Sequence, residues 1–253
     1  VISSGTGATA GTYLISSIHA TNGITLTASA GASASGIVFR VERCPKIYDP
    51  ILGTLAKWTA TAALGQVPTG CPLIALYRDR LVLAGAPVSP HVWYMSRQAD
   101  PLDWNYGADA TDGGRAVAGT NADAGLIGEP ITALISHSDD YLIFGCATSL
   151  WILRGDAGFG GSIDNLSRNV GIVTRGAWCR GPSGEVIFLS RDGLYMLAPG
   201  SSAYPISISR EKLPRELRDI DATMYSVTME YDMLDRGVHI YLTSQESKGQ
   251  LHW

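Results

Sequence analysis

Three aspartates, Asp139, Asp140 and Asp192, have the right chemistry to serve as catalytic carboxylates. Cleaving a glycosidic bond takes one carboxylic acid to protonate the leaving oxygen. A second carboxylate then attacks or activates water. All three residues fall in short polar stretches between apolar runs, Ser138-Asp139-Asp140 and Arg191-Asp192-Gly193. In such positions Asp accepts hydrogen bonds from nearby backbone N–H groups and stabilises the turn. The spacing therefore favours turns over a catalytic pair.

The other candidate chemistries are weighed in the same way. Gly5-Thr6-Gly7-Ala8-Thr9-Ala10-Gly11 is rich in glycine, but no strand precedes it and no lysine occupies the phosphate position. It reads as a flexible turn, not a phosphate loop. The five histidines, His19, His91, His137, His239 and His252, never take H-x-x-x-H or H-E-x-x-H spacing. His239 lies inside an apolar run and reads as a packed strand residue, not a metal ligand. Asp109 to Gly114 has too few oxygen ligands at alternating positions, and no distal Glu, for a calcium loop. No Ser stands in G-x-S-x-G, so the sequence has no nucleophile elbow. Cys44, Cys71, Cys146 and Cys179 are too far apart for a zinc knuckle or a small disulfide scaffold, and they read as buried thiols in a reducing cell. The sequence assigns no catalytic, cofactor-binding or metal-ligating residue, and the expectation is a protein that is not an enzyme and carries no cofactor.

Tryptophan is the remaining signal. Trp151 and Trp178 sit in strand-like runs, where core packing is the expectation. Trp104 lies in a loop rich in Pro, Asp and Asn, which makes it the possible partner contact.

These residues need elements to hold them, and the composition says which kind. The chain has 253 residues with 45% hydrophobic and 17% charged residues, and 29 glycines. No segment keeps a period of 3.6 over four turns, so long amphipathic helices are not expected. Many short strands joined by tight turns are. The net charge of −4 argues against a basic face that grips nucleic acid. No apolar run reaches the roughly 18 residues of a membrane helix, and no signal peptide is visible at the start. The chain opens on Val1 within a Gly/Ser/Thr stretch and closes on what reads as a strand just begun, Gln250 to Trp253. A piece of a longer polypeptide is the expectation.

Three regions follow. Residues 1–45 read as a small β-hairpin module, with strands at Thr12 to Ile18, Gly23 to Thr27 and Ile37 to Val41. Thr21-Asn22-Gly23 forms a turn within it, and the Ala/Ser/Gly run Ala28 to Gly36 a connection. Residues 46–69 read as a connector with a short helical turn near Leu52 to Thr59. Residues 70–253 repeat a unit of strand, polar turn, very apolar strand, turn and aromatic strand. The apolar strands centre on Val82, Ile143, Ile187 and Ile240. Their spacing is near the 40–50 residues of a propeller blade. Inner blade strands are buried on both faces and read as continuous apolar runs, as Leu142-Ile143-Phe144 and Val186 to Leu189 do. The predicted fold class is all-β: β-propeller-like antiparallel hairpin repeats, forming an incomplete β-propeller, with a small N-terminal β module. A large β-sandwich is the alternative. Ile143, Phe144, Ile187, Phe188, Leu189 and Ile240 are the predicted core. Ser190-Arg191-Asp192-Gly193 lacks the spacing of the S-x-D-x-G-x-T-W box of sialidase propellers.

Several stretches also resemble a known family. They include Arg78-Asp-Arg-Leu-Val-Leu-Ala-Gly85, Trp93-Tyr-Met-Ser-Arg97, Asp100-Pro-Leu-Asp-Trp104 and Ser138-Asp-Asp-Tyr-Leu-Ile-Phe-Gly145. Leu150-Trp-Ile-Leu-Arg-Gly-Asp156, Val170-Gly-Ile-Val173 and Phe188-Leu-Ser-Arg-Asp-Gly-Leu-Tyr195 continue the pattern. Together, over roughly residues 65–200, they resemble tail nozzle or tail tubular proteins of short-tailed bacteriophages, which are virion structural proteins. The resemblance implies a propeller with added β domains. It also implies a ring of copies below the portal and adaptor, contacts with neighbouring tail proteins, and genomic DNA passing through the lumen without specific binding during ejection. The implied location is the virion tail, assembled in the host bacterial cytoplasm. A receptor- or carbohydrate-binding propeller at the tail tip is the alternative.

Overall fold

The computed structural model describes residues 2–11, 13, 15–19, 23–26, 28–39, 44–120, 124–209, 214, 217, 218, 220–244 and 250–252. The chain divides into two compact units, Val1–Cys44 and Pro45–Trp253. All the regular elements among the described residues longer than a single turn are β-strands.

The first unit holds strands β1 (Ile2–Ala8), β2 (Ile15–His19), β3 (Gly23–Leu26) and β4 (Gly31–Phe39). They form two antiparallel pairs, β1 with β4 and β2 with β3. Two expectations fail here. Gly5 to Ala8 belongs to β1 and is not a free turn, and most of the Ala/Ser/Gly run belongs to β4 and is not a connection. The β1–β4 ladder shifts register three times. At Gly31, with φ at 131°, a Cβ would lie 2.2 Å from the Gly7 carbonyl oxygen. A ladder this irregular and close requires small residues, so the run that looked like a linker is a bulged strand. The expected turn residues Thr21 and Asn22, and the end of the expected strand at Val41, lie outside the described residues.

The second unit begins with a hairpin of β5 (Lys46–Asp49) and β6 (Thr54–Lys57). The helical turn expected near Leu52 to Thr59 is replaced by this strand pair. Asp49 Oδ1 accepts hydrogen bonds from the N–H groups of Ile51 (2.8 Å) and Leu52 (3.1 Å), and Gly53 takes φ of 63°. An Asx turn followed by a left-handed glycine reverses the chain where a helix would have continued it.

Four antiparallel meanders follow. The first has β7 (Leu73–Tyr77), β8 (Arg80–Ala86), β9 (Ser89–Met95) and β10 (Val117–Ala118). The second has β11 (Ile131–Ser136), β12 (Tyr141–Cys146), β13 (Leu150–Asp156) and β14 (Phe159–Ser167). The third has β15 (Trp178–Arg180), β16 (Val186–Ser190), β17 (Gly193–Leu197) and β18 (Ile206–Ser207). The fourth has β19 (Tyr225–Asp232), β20 (Gly237–Ser244) and β21 (Gln250–His252).

Side chains alternate across a strand, so a sheet buried on both faces needs an unbroken apolar run. On β12, Leu142 and Phe144 pack with Val82, Trp93 and Met95 of the first sheet, and the Trp93 and Phe144 rings lie 6.0 Å apart. Ile143, between them, belongs to the core that runs on through Val186 and Phe188 of the third sheet to Val227 and Ile240 of the fourth. The first strands of successive sheets are neighbours, β7 with β11 and β15 with β19. Four meanders following one another in sequence, the first strands adjoining between sheets one and two and between three and four, make the fold β-propeller-like. Ile143, Phe144, Phe188 and Leu189 are fully buried, and Ile187 and Ile240 nearly so, as predicted.

Candidate functional site

Polar side chains in this fold are largely committed to holding it together. Arg80 opens β8 and is fully buried between the first two sheets. Its Nε donates to Asp156 Oδ2 (3.0 Å) and its Nη2 to Asp156 Oδ1 (3.1 Å), a bidentate pair. The remaining N–H groups donate to the carbonyls of Ser96 (3.0 Å), Gly113 (2.7 Å), Gly114 (3.2 Å) and Arg115 (2.5 Å). Tyr77 adds a hydrogen bond from its hydroxyl to the Gly155 carbonyl (2.7 Å), and burial pushes that phenol up to about 12. The cluster ties sheet one to the end of β13. Sequence reasoning missed it because Arg80 reads as the edge of a turn.

A cleft of about 370 Å³ opens beside the β12–β13 and β16–β17 turns, lined by Ala147, Val173, Arg191, Ile220, Asp221 and Thr223, with Ala222. Asp221 Oδ1 accepts from the Thr223 hydroxyl (2.6 Å) and the Thr223 N–H (2.8 Å). Those hydrogen bonds hold its carboxyl below the usual carboxylate range. The cleft thus presents a guanidinium and an ionised carboxylate already engaged in a turn. Opposite charges lining one cleft can attract a small polar molecule.

At the β19–β20 turn, Asp232, Asp235 and His239 bring their ligating atoms within 4.8 Å of one another. His239 Nε2 lies 3.6 Å from Asp232 Oδ2 and 3.8 Å from Asp235 Oδ2. Asp232 Oδ1 accepts from the N–H groups of Leu234 (2.7 Å) and Asp235 (3.2 Å), which lowers its pKa. These three donors are the described residues most able to hold a divalent cation. The same contacts also serve to close the turn. His239 stacks on Tyr241 at 6.4 Å, as a strand residue does.

The residues singled out from sequence fall where turns need them. Asp192 accepts from the Tyr195 hydroxyl (2.7 Å) within its own hairpin, and Asp140 lies 3.8 Å from Arg78 at the surface. Asp109 accepts from the Thr111 N–H, and Asp112 pairs with Arg97 (2.6 Å) and accepts from the Gly114 N–H, so both carboxylates are engaged in shaping their loop. None of the four cysteines is in a disulfide. Cys146 and Cys179 are buried, whereas Cys44 and Cys71 are half-buried.

Trp104 requires a correction. It is 1% exposed, packs edge-on against Trp58 at 5.7 Å, joins Val67 and Leu83 in a small core, and donates its indole N–H to the Pro101 carbonyl (2.9 Å). The Asp103 carboxylate caps the next turn at Asn105 N. The polar residues around Trp104 fold the loop inward, so the ring covers the first sheet and has no surface for a partner.

Several large apolar side chains are also exposed, most of them at hairpin tips. They include Ile51 (92% exposed) and Leu52 between β5 and β6, Phe159 at the start of β14, and Met233 and Leu234 (93% exposed) between β19 and β20. Ile74 and Leu76, on β7, are also exposed.

No family model matches this chain, and no characterised protein sequence is similar to it. Among solved structures, a structural genomics protein of unknown function from Bacteroides thetaiotaomicron VPI-5482 aligns with a TM-score of 0.40 and 8% identity, over 77% of this chain and 44% of that one. The N-terminal domain of Nup159 aligns with a TM-score of 0.39 and 12% identity, over 74% of this chain and 48% of that one. The chain spans less than half the length of either. Overlap this loose carries no functional argument, and the fold assignment stands on the sheet topology above.

Proposed function

We propose that this chain is a structural subunit of a bacteriophage tail, part of the tube or nozzle, assembling with copies of itself below the portal and adaptor so that DNA passes through. The observation that carries this reading is how the side chains are deployed. Carboxylates and the buried arginine are spent on turns and inter-sheet ties, while large apolar side chains stand exposed on hairpin tips. Exposed apolar groups that nothing in the chain covers mark contact surfaces. The hairpin sequences from about residue 65 to 200, with their resemblance to tail tubular proteins, supply the identity of the assembly.

The net charge of −4 suits a tube through which DNA must slide. Each phosphate contact adds salt-dependent affinity, which would slow passage. The test is to locate the chain in intact virions by electron microscopy with a tag on it. A closed ring on the tail axis beside portal-side proteins is the expected result. A peripheral position with a sugar held at the Arg191–Asp221 cleft would replace this reading with a receptor-binding one.

A further inference from the structure

The β5–β6 hairpin is an unusual element for the surface of a subunit. Every side chain on it except Asp49 is exposed, on both faces. Ile47 is 50% exposed, Tyr48 60%, Ile51 92%, Leu52 72% and Leu55 60%. A two-stranded hairpin with neither face covered is marginal in water. Among the described residues it is pinned at its root, where Trp58 N–H donates to the Pro45 carbonyl (3.0 Å) and the Trp58 ring enters the small core with Trp104 and Leu83. Lys46 and Lys57 are paired directly across the two strands. Like charges opposite one another destabilise a strand pair unless a carboxylate comes between them. The arm therefore presents an apolar tip and a cationic root, and both await a partner.

A complementary surface lies at the other end of the sheet array. The β19–β20 turn projects Met233 (73% exposed) and Leu234 (93% exposed), flanked by Asp232 and by Asp235, whose side chain is 75% exposed. We infer that the β5–β6 arm of one copy docks on the Asp232–Asp235 turn of the next copy, apolar tip against Met233 and Leu234, with Lys46 and Lys57 facing the aspartates. The inference rests on the proposed assembly of copies and names the surfaces that make it.

The contact joins two different surfaces, one beside the first sheet and one on the fourth, so it is head-to-tail. Such contacts propagate into a ring if the rotation closes. Its size is modest. An apolar side chain removes roughly 60–120 Å² from water on full burial, so these seven contribute at most roughly 400–850 Å². That is the centre of a small interface, below the roughly 1,600 Å² of a stable pair. Association is therefore concentration-dependent, and ring closure strengthens it by making the last contact intramolecular.

The test uses the chain as it stands, in sedimentation velocity and native mass spectrometry across a concentration series. Two variants at exposed positions break one surface each: Ile51→Asp with Leu52→Asp on the arm, and Met233→Asp with Leu234→Asp on the turn. Near-UV circular dichroism checks that each is folded. Each should weaken association by about a hundredfold, the effect of losing an interface centre. Mixed together, the two variants should recover dimers and nothing larger, because one intact arm then meets one intact turn. Lys46→Glu with Lys57→Glu should also weaken association, and Asp235→Lys added to it should restore part of the loss. The proposal is overturned if the chain stays monomeric to its solubility limit, if the turn variant assembles like the wild type, or if the mixture gives no dimers. These outcomes concern the contact alone. A peripheral location in the virion would overturn the tail-tube reading and leave the contact standing.

Discussion

Replacing Asp156 with Ala tests whether the Arg80 cluster holds the first two sheets together. In the folded chain the Arg80 guanidinium is fully buried and the Asp156 side chain is 14% exposed. Removing the carboxylate leaves a buried cation facing only the carbonyls of Ser96, Gly113, Gly114 and Arg115, with no countercharge. Breaking one side of a buried pair costs about 3–5 kcal/mol. Gly158 N–H also loses its acceptor, Asp156 Oδ1 at 2.7 Å, which costs about 1 kcal/mol more. The slight exposure of Asp156 lets water relieve part of this, so a net loss of about 3–5 kcal/mol is expected. That is a large share of the roughly 5–15 kcal/mol by which a domain is stable. Arg80→Met should cost less in charge and more in orphaned carbonyls. The double variant should be more stable than Asp156→Ala alone, because no uncompensated charge remains buried. Urea unfolding followed by tryptophan fluorescence reads this directly, since Trp93 and Trp104 are buried in the native state. A loss below about 1 kcal/mol for Asp156→Ala, or a double variant less stable than both singles, would refute the clamp.

Two further outcomes are expected. His137 is 6% exposed, and burial pushes its imidazole below its usual 6.5, against the opposing pull of the backbone at Ser201 and Ala198. As pH falls below about 6.5 the unfolded chain takes up a proton that the folded chain resists. The unfolding free energy should therefore fall between pH 7 and pH 5 and level off above that window, and His137→Gln should lose this part of the slope; an unchanged slope would show that His137 is not its source. Burial also pushes the thiols of Cys146 and Cys179 up, to about 12 and about 11. Iodoacetamide at pH 8 followed by mass mapping should leave both unmodified in the native protein and modify them after unfolding, and rapid native labelling of either would mean its strand opens readily.

How far the fold could be read from the sequence depended on how much each strand buries. The middle strands β8, β12 and β16 were legible because a sheet packed on both faces demands consecutive apolar residues, and Leu142 to Phe144 and Val186 to Leu189 supply them. The outer strand β14 escaped notice although it is nine residues long. It lies at the edge of its sheet, and its side chains alternate between exposed and partly buried, so a Gly/Ser/Asp-rich sequence can form it. The first part of β4, Gly31 to Gly36, is illegible for a different reason. Its requirement is close backbone approach, which selects for small residues and so mimics a linker. The site was least legible of all. A turn aspartate and a catalytic aspartate have the same sequence signature, and only the partners of Asp192, Asp112 and Asp232 separate them. Trp104 is misleading because polar neighbours in sequence do not mean polar surroundings in space. Those neighbours fold the loop around the ring, and the exposed apolar residues instead belong to the β5–β6 hairpin, a segment that reads as a connector because its apolar residues follow neither helical nor core-strand spacing. Such a segment has no reason inside one subunit to be apolar, and the reason lies in whatever covers it.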